Sequence, residues 1–185
     1  MRGPENLLHF APLLAALSWS VFADMRVRKI PNILTVPLAI AGVTTSFMSG
    51  HVVTPTQSLL GLMLGFAIPL VPFVLGAIGG GDVKLMAAIG AWMGPMGVFM
   101  TYVVAAVVGM VIVLVQATAQ GKLFALFRNS AVVAVNLAHL RELGVDNAKT
   151  VGHSCRSISK PLQYAVPLLI SVVMLLLWPW LMGAA

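Results

Sequence analysis

Charged residues are scarce in this chain. They make up 9% of its 185 residues, whereas hydrophobic residues make up 59% and the mean hydropathy is +0.99. A soluble domain carries about 25% charged residues, so this composition excludes an ordinary soluble enzyme and a disordered tail. The single cysteine, Cys155, excludes an intramolecular disulfide and a zinc site built from several cysteines. What remains is a helical membrane protein that crosses the bilayer several times.

Five apolar stretches approach the ~20 residues that a helix needs to cross a bilayer. They cover residues 7–23, 33–48, 59–78, 96–117 and 164–181. A sixth stretch, 79–93, is shorter, and Gly94-Pro95 separates it from the next one. Gly-Pro within a membrane helix forms either a kink or a turn, so hydropathy alone leaves five and six spans open.

Lysine and arginine distinguish these two topologies, because cytoplasmic loops of membrane proteins are enriched in them. A single kinked helix over 79–117 would place the basic loop 119–163 outside, opposite the basic residues that follow Asp24. A turn at Gly94-Pro95 leaves only Arg2 outside and places ten basic residues on one side, namely Arg26, Arg28, Lys29, Lys84, Lys122, Arg128, Arg141, Lys149, Arg156 and Lys160. We therefore predict an all-α polytopic membrane protein, a single domain over 1–185 with six transmembrane helices, both termini outside and basic loops in the cytoplasm.

The long loop 119–163 contains a segment, 122–143, whose apolar residues recur near helical spacing. We predict an amphipathic helix along the cytoplasmic membrane surface; the alternative is a loosely ordered linker. The net charge of +6 is then mainly a topology signal, with lipid head groups as secondary partners and no nucleic acid.

Only five residues are acidic, and two of them occupy unusual positions. Glu5, Glu142 and Asp146 lie outside the predicted spans, where a solvated carboxylate is ordinary. Asp24 ends the first predicted helix and Asp82 starts the fourth, so the predicted topology places both at the same depth on the cytoplasmic side. Carboxylates near hydrocarbon are costly and are candidates for a functional site.

Two neighbouring carboxylates can share one proton, because like charges push their pKa values apart. The ionised member can take a proton from water while the protonated member polarises a peptide carbonyl, which is the chemistry of aspartyl proteolysis. Three alternatives remain on these grounds: an N-cap at Asp82, a carboxylate solvated at the interface at Asp24, and an ion-coupling pair.

Three glycines, Gly79, Gly80 and Gly81, precede Asp82. They could let an extended substrate approach the backbone closely. Close helix packing is the more common role of glycine in membrane proteins, and it stays open here.

Two strings of residues resemble the signatures of bacterial type IV prepilin peptidases. The residues from Asp24 to Asn32, DMRVRKIPN, are similar to the family's D-x-R-x-x-x-I-P-N block, and those from Gly79 to Leu85, GGGDVKL, are similar to its G-x-G-D block. The continuation AAIGAWMGP, which ends at Pro95, looks like the usual sequel. Both blocks occur in the family's order, at the boundary positions that the topology requires.

The resemblance implies a peptidase of the bacterial inner membrane that removes the short basic leader from prepilin or pilin-like precursors at the cytoplasmic face. Asp24 and Asp82 match the family's catalytic aspartates. Arg26, Asn32 and Lys84 match supporting motif positions, each with a simpler alternative: a topology signal, a cap for the second helix and a charge that balances the dyad or reaches the interface.

This chain departs from the larger family members in two places. Only eight residues separate Asp24 from Ile33, so the cytoplasmic domain with paired cysteines is missing from that position. We therefore expect no N-methyltransferase activity and a closer similarity to the peptidases of the tight-adherence (Flp) pilus. The residues from Pro161 to Pro167 match only loosely a block that often precedes the last span.

No cofactor and no metal is expected, because His9, His51, His139 and His153 are scattered without ligand spacing. Two other functions remain open: a small proton- or cation-coupled transporter that uses the two aspartates, and a non-catalytic subunit of pilus or secretion assembly. If the chain is a peptidase, Glu142 and Asp146 could contact the basic leader.

Overall fold

The computed structural model describes residues 9–27, 30–48, 52–74, 78–125, 128 and 164–182, and within them the chain is all-helical. Five helices follow one another: α1 Ala11–Val27, α2 Asn32–Thr45, α3 Pro55–Val74, α4 Gly80–Ala119 and α5 Ala165–Met182. The all-α class is confirmed. The predicted amphipathic segment 122–143 lies outside the described residues except for its first few.

Helix α4 is interrupted at Gly94, whose φ of 72° and ψ of −178° are not helical. A positive φ favours glycine because it has no Cβ, and Pro95 then supplies a φ suited to the start of the next helical segment. Gly94 therefore divides α4 into a first arm, residues 80–93, and a second arm, residues 95–119.

The two arms fold back on one another at this break. Tyr164 lies within electrostatic reach of both Asp82 on the first arm and Tyr102 on the second. In a straight helix these two residues would be about 30 Å apart, too far for one side chain to approach both. The chain thus reverses at Gly94, which agrees with the turn that the basic residues favoured.

The first arm of α4 is the centre of the bundle. Every residue from Leu85 to Trp92 is buried on it. The surrounding core draws on α1, α2, the second arm and α5, with Leu17, Leu38, Val98 and Leu168 as examples. This enclosure holds the start of the first arm, and Asp82 with it, at one end of the packed core.

Helix α3 packs against the first arm backbone to backbone. A Cβ at Gly61 would collide with the Gly90 carbonyl oxygen, and one at Gly90 would collide with that of Gly61. One turn further on, a Cβ at Gly65 would collide with the Met86 carbonyl oxygen. Small residues let membrane helices approach closely enough for their backbones to gain van der Waals contact. These glycines therefore set the distance between α3 and α4.

Two polar contacts reinforce the same core. The Ser58 hydroxyl donates to the Ala91 carbonyl oxygen at 2.7 Å, and the Trp92 indole N–H donates to the Leu38 carbonyl oxygen at 2.9 Å. Gly42 lies directly under the Trp92 ring, where a Cβ would fall 2.7 Å from its Cδ1 atom. Trp92 thereby ties α2 to the first arm.

Large apolar side chains also cover the outside of the bundle, among them Met63, Val71 and Met110, each about two-thirds exposed or slightly less. Helices α3 and α4 are long and apolar enough to cross a membrane, whereas α2 and the described apolar part of α5 are shorter. An apolar exterior of this kind is typical of a surface that faces lipid. The chain is thus a helical membrane protein, and the count of six spans stays a prediction.

Candidate functional site

Asp82 lies in the first turn of α4 and is half-buried. Its Oδ2 accepts a hydrogen bond from the Gly79 N–H at 3.1 Å, while the Gly79 carbonyl oxygen accepts from the Asp82 N–H at 3.1 Å. A carboxylate at this position also interacts favourably with the positive end of the helix dipole. The sequence analysis weighed Asp82 as the N-cap, but the N-cap is Gly79, and Asp82 is the N3 residue whose side chain bonds back to the N-cap N–H. This bond uses one of the two carboxylate oxygens.

Asp24 lies near Asp82, at the C-terminal end of α1. It is half-buried in the last two turns of α1, which continues past it to Val27. The sequence predicted that Asp24 ends this helix, and the structure moves the helix end three residues further. The charge of Asp24 acts directly on Asp82, so the two carboxyl groups are neighbours across the ends of α1 and α4.

The glycines before Asp82 pack against side chains. A Cβ on Gly81 would lie 3.0 Å from the Ile30 Cβ, and one on Gly80 would lie 3.3 Å from the Phe73 Cε2. Ile30 belongs to the segment that follows Asp24 in sequence. Gly81 thus lets the two motif segments meet, which is the packing role that the sequence analysis left open.

Because Gly81 packs against Ile30, we expect alanine at position 81 and alanine at position 80 to have different effects on activity. Gly81→Ala should lower activity because the new methyl group pushes Ile30, and the segment after Asp24, away from α4. Gly80→Ala is the matched control, since its methyl group meets only the edge of a ring that can move. Activity should return in the Gly81→Ala, Ile30→Gly double variant, which removes the Ile30 Cβ that the new methyl group meets; equal activity of both single variants would contradict the prediction.

Of the three supporting candidates, Lys84 and Asn32 bond to each other, whereas Arg26 contacts a residue of its own helix. The Lys84 ammonium donates to the Asn32 Oδ1 at 2.8 Å, which joins the second turn of α4 to the first residue of α2. Asn32 makes no capping bond for α2, whose N-cap is Pro31 without a side-chain cap, so the capping alternative for Asn32 is wrong. The Arg26 guanidinium instead lies 4.8 Å from the centre of the Phe22 ring on its own helix, a cation–π contact.

Tyr164 is a residue of this site that the sequence analysis did not single out. It directly precedes α5, is half-buried against the core, and lies within electrostatic reach of Asp82. Only its place in the loosely matched block from Pro161 to Pro167 could have drawn attention to it. Its phenol adds a possible hydrogen-bond donor near the carboxyl pair.

Among the described residues, no three histidine, cysteine or acidic side chains are grouped as a metal site would require. His51, His139, His153 and Cys155 lie outside the described residues, as do Glu142 and Asp146. The expectation of a metal-free site therefore stays a prediction.

Fold and site together define a helical membrane protein that holds two neighbouring carboxyl groups at the ends of two helices. The model of the type IV leader peptidase family matches residues 11–114, more than half of the chain. The chain belongs to this family, which confirms the resemblance seen in its motifs.

A curated relative supports the same assignment. The chain is 31% identical over 121 residues to a prepilin leader peptidase/N-methyltransferase of Neisseria gonorrhoeae. The alignment covers 61% of this chain and 42% of the relative, so the chain spans less than half of that protein's length. No solved structure matches the chain.

Proposed function

We propose that this protein is a membrane aspartyl endopeptidase that removes the short basic leader from prepilin or pilin-like precursors. The main support is that Asp24 and Asp82 lie close together, at the end of α1 and the start of α4. The chain that holds them belongs to the leader peptidase family. The Gly79 N–H holds one oxygen of Asp82, and Gly80 and Gly81 let Phe73 and Ile30 approach the start of α4. The hydrogen bond from Lys84 to Asn32 joins α4 to the start of α2.

In the proposed reaction the two carboxyl groups share one proton, since two like charges this close do not both ionise readily. The ionised carboxylate takes a proton from water as the water oxygen attacks the scissile carbonyl carbon. The protonated carboxyl group gives its proton to the carbonyl oxygen, which yields a tetrahedral diol. The diol then collapses: the C–N bond breaks, the leaving nitrogen receives a proton from the protonated carboxyl group, and a diol hydroxyl gives its proton to the ionised one. The leader keeps the new carboxyl group, and the pair again shares one proton.

The proposal also assigns a location. Six spans, over 7–23, 33–48, 59–78, 79–93, 96–117 and 164–181, would cross the bacterial inner membrane with both termini outside. Asp24 and Asp82 would then lie at the cytoplasmic face, where water and a basic leader are present. The lengths of α3 and of the second arm of α4, the apolar exterior and the chain reversal at Gly94 support this arrangement.

We further propose that cleavage is not followed by methylation of the new N-terminus. This proposal is supported by the short connection between two helices, because α1 ends at Val27 and α2 begins at Asn32. This leaves no room there for a cysteine-paired domain. The tight-adherence (Flp) pilus is the proposed system because its peptidases share this short form.

The test is cleavage of a synthetic prepilin by the purified protein in detergent, where no ion gradient exists. We expect a leader fragment and an unmethylated mature fragment, both identified by mass. A coupled transporter would need a gradient and would leave the peptide intact. A folded protein that cuts none of several precursors would contradict the proposal.

A further inference from the structure

A groove of about 340 Å³ runs beside the candidate site, and the proposed catalysis does not use it. Its walls come from α2, α3 and the first arm of α4. The side chains that line it are mainly aliphatic and include Val36, Ala39 and Ile40. Along α2 it extends from Thr35 to Thr44, about 14 Å at the rise of an α-helix. That length corresponds to roughly four residues of extended chain.

One end of the groove lies at the same end of the first arm as Asp82. Lys84 lines it there, about 3 Å further along the helix axis than Asp82. The Lys84 ammonium is hydrogen-bonded to the neutral amide of Asn32, so this contact leaves its positive charge uncompensated. A basic peptide would be repelled from this end of the groove, whereas an apolar peptide segment would not be.

The buried hydroxyl group of Thr35 is independent evidence that the groove binds a ligand. Thr35 lines the groove, its side chain is 1% exposed, and its Oγ1 has no hydrogen-bond partner in the described part of the chain. Buried hydroxyl groups are nearly always paired, because an unpaired one loses its bonds to water without replacement. Because this hydroxyl is buried, an occupant of the groove that offers a backbone carbonyl or N–H group would complete the bond once the Thr35 side chain turns to its other helical rotamer. An acyl chain of a lipid offers neither.

We propose that this groove binds the apolar residues of the precursor that directly follow the scissile bond, with Thr35 hydrogen-bonding to their backbone. This inference rests on the proposed function and adds the location of its substrate. A segment being cut must be extended, so its backbone groups are free to pair with Thr35. Lys84 keeps the basic leader of the precursor out of the groove. The precursor can therefore cross Asp24 and Asp82 in only one orientation.

Photocrosslinking tests the location without requiring catalysis. A photoreactive amino acid replaces Val36 in the groove or Val107 on the second arm; the two valines are similarly exposed, at 50% and 52%. Both proteins also carry Asp82→Asn and are mixed with a synthetic prepilin that has a basic leader and an apolar helix. We expect at least fivefold more crosslinked prepilin from position 36, at the residues just after the cleavage point. Equal yields from both positions, or crosslinks from position 36 to lipid alone, would overturn the proposal.

Thr35→Val tests the hydrogen bond itself. Because the Thr35 hydroxyl is unpaired in the free protein, its loss should leave thermal stability unchanged or higher. KM should rise roughly fivefold while kcat changes little, the size of one hydrogen bond lost on binding. Thr118→Val is the matched control, since that hydroxyl bonds within the second arm, and its KM should stay unchanged. An unaltered KM in Thr35→Val would overturn the role of this hydroxyl even if the wild type cleaves normally.

Discussion

Asp24→Asn and Asp82→Asn are each expected to abolish cleavage while the protein stays folded. Asparagine keeps the size and shape of aspartate but neither ionises nor exchanges a proton, so the shared proton of the pair is lost in both variants. General acid–base catalysis contributes about 10²- to 10⁴-fold to a rate, and each substitution should cost at least that much. The measurement is the initial rate of prepilin cleavage by each purified variant in detergent.

The fold is expected to survive these substitutions for reasons visible in the structure. In Asp82→Asn, the side-chain amide oxygen can still accept the hydrogen bond from the Gly79 N–H that Asp82 Oδ2 accepts at 3.1 Å. Thermal unfolding in detergent checks this directly. Glu5→Gln is the matched control, because this carboxylate is predicted to lie on the opposite side of the membrane.

A folded Asp24→Asn or Asp82→Asn variant that cuts at the wild-type rate would exclude the aspartyl mechanism. If pilus assembly also continued in cells with either variant, the aspartates would serve packing alone, as expected of a non-catalytic assembly subunit. Loss of activity in both variants would leave the identity of the precursor as the next question.

Gly61→Val and Gly90→Val are expected to cause the largest losses of stability in the described bundle. A Cβ at either position meets the backbone of the facing helix, which cannot turn aside as a side chain can. Helices α3 and α4 would have to separate, and the hydrogen bond from Ser58 to Ala91 between them would lengthen. Overpacking of a core costs up to about 3 kcal/mol, and contact with backbone on both sides places these variants at the upper end.

Ala67→Val is the control for this prediction, since Ala67 is exposed on the same helix and a larger side chain there faces lipid. The measurement is the unfolding temperature and the folded yield of each purified protein. A Gly61→Val variant as stable as Ala67→Val would show that the close approach of α3 and α4 is not needed for the fold.

Local patterns predicted much of the site but only part of its geometry. The two acids and their glycines could be found because they interrupt apolar sequence at helix ends, where a carboxylate is costly. Helix α3 begins at Pro55, four residues before the apolar stretch 59–78, and the sequence carries a signal for this start. Thr54 and Gln57 exchange hydrogen bonds of 3.2 and 3.4 Å between side chain and backbone. This is the capping box that a threonine three residues before a glutamine predicts.

The turn at Gly94 shows what charge adds to hydropathy. Gly-Pro by itself fitted both a kink and a turn, and only the distribution of basic residues favoured a reversal. The structure has the reversal because glycine tolerates the positive φ there and because the second arm can then pack beside the first. Neither reason is readable from the dipeptide alone.

The amino-acid sequence alone is enough to identify an all-helical membrane protein that resembles the leader peptidase family and carries acids near two helix ends. Composition and local motifs are sufficient for that, since every backbone group in hydrocarbon must pair within its own helix. Which residues meet follows from the packing of the helices: Gly61 faces Gly90 and Lys84 bonds to Asn32, whereas Thr35 has no partner among the described residues. These contacts join residues far apart in the chain. Hydropathy marks where a helix lies, whereas close packing of backbones and side chains selects its neighbours and its rotation.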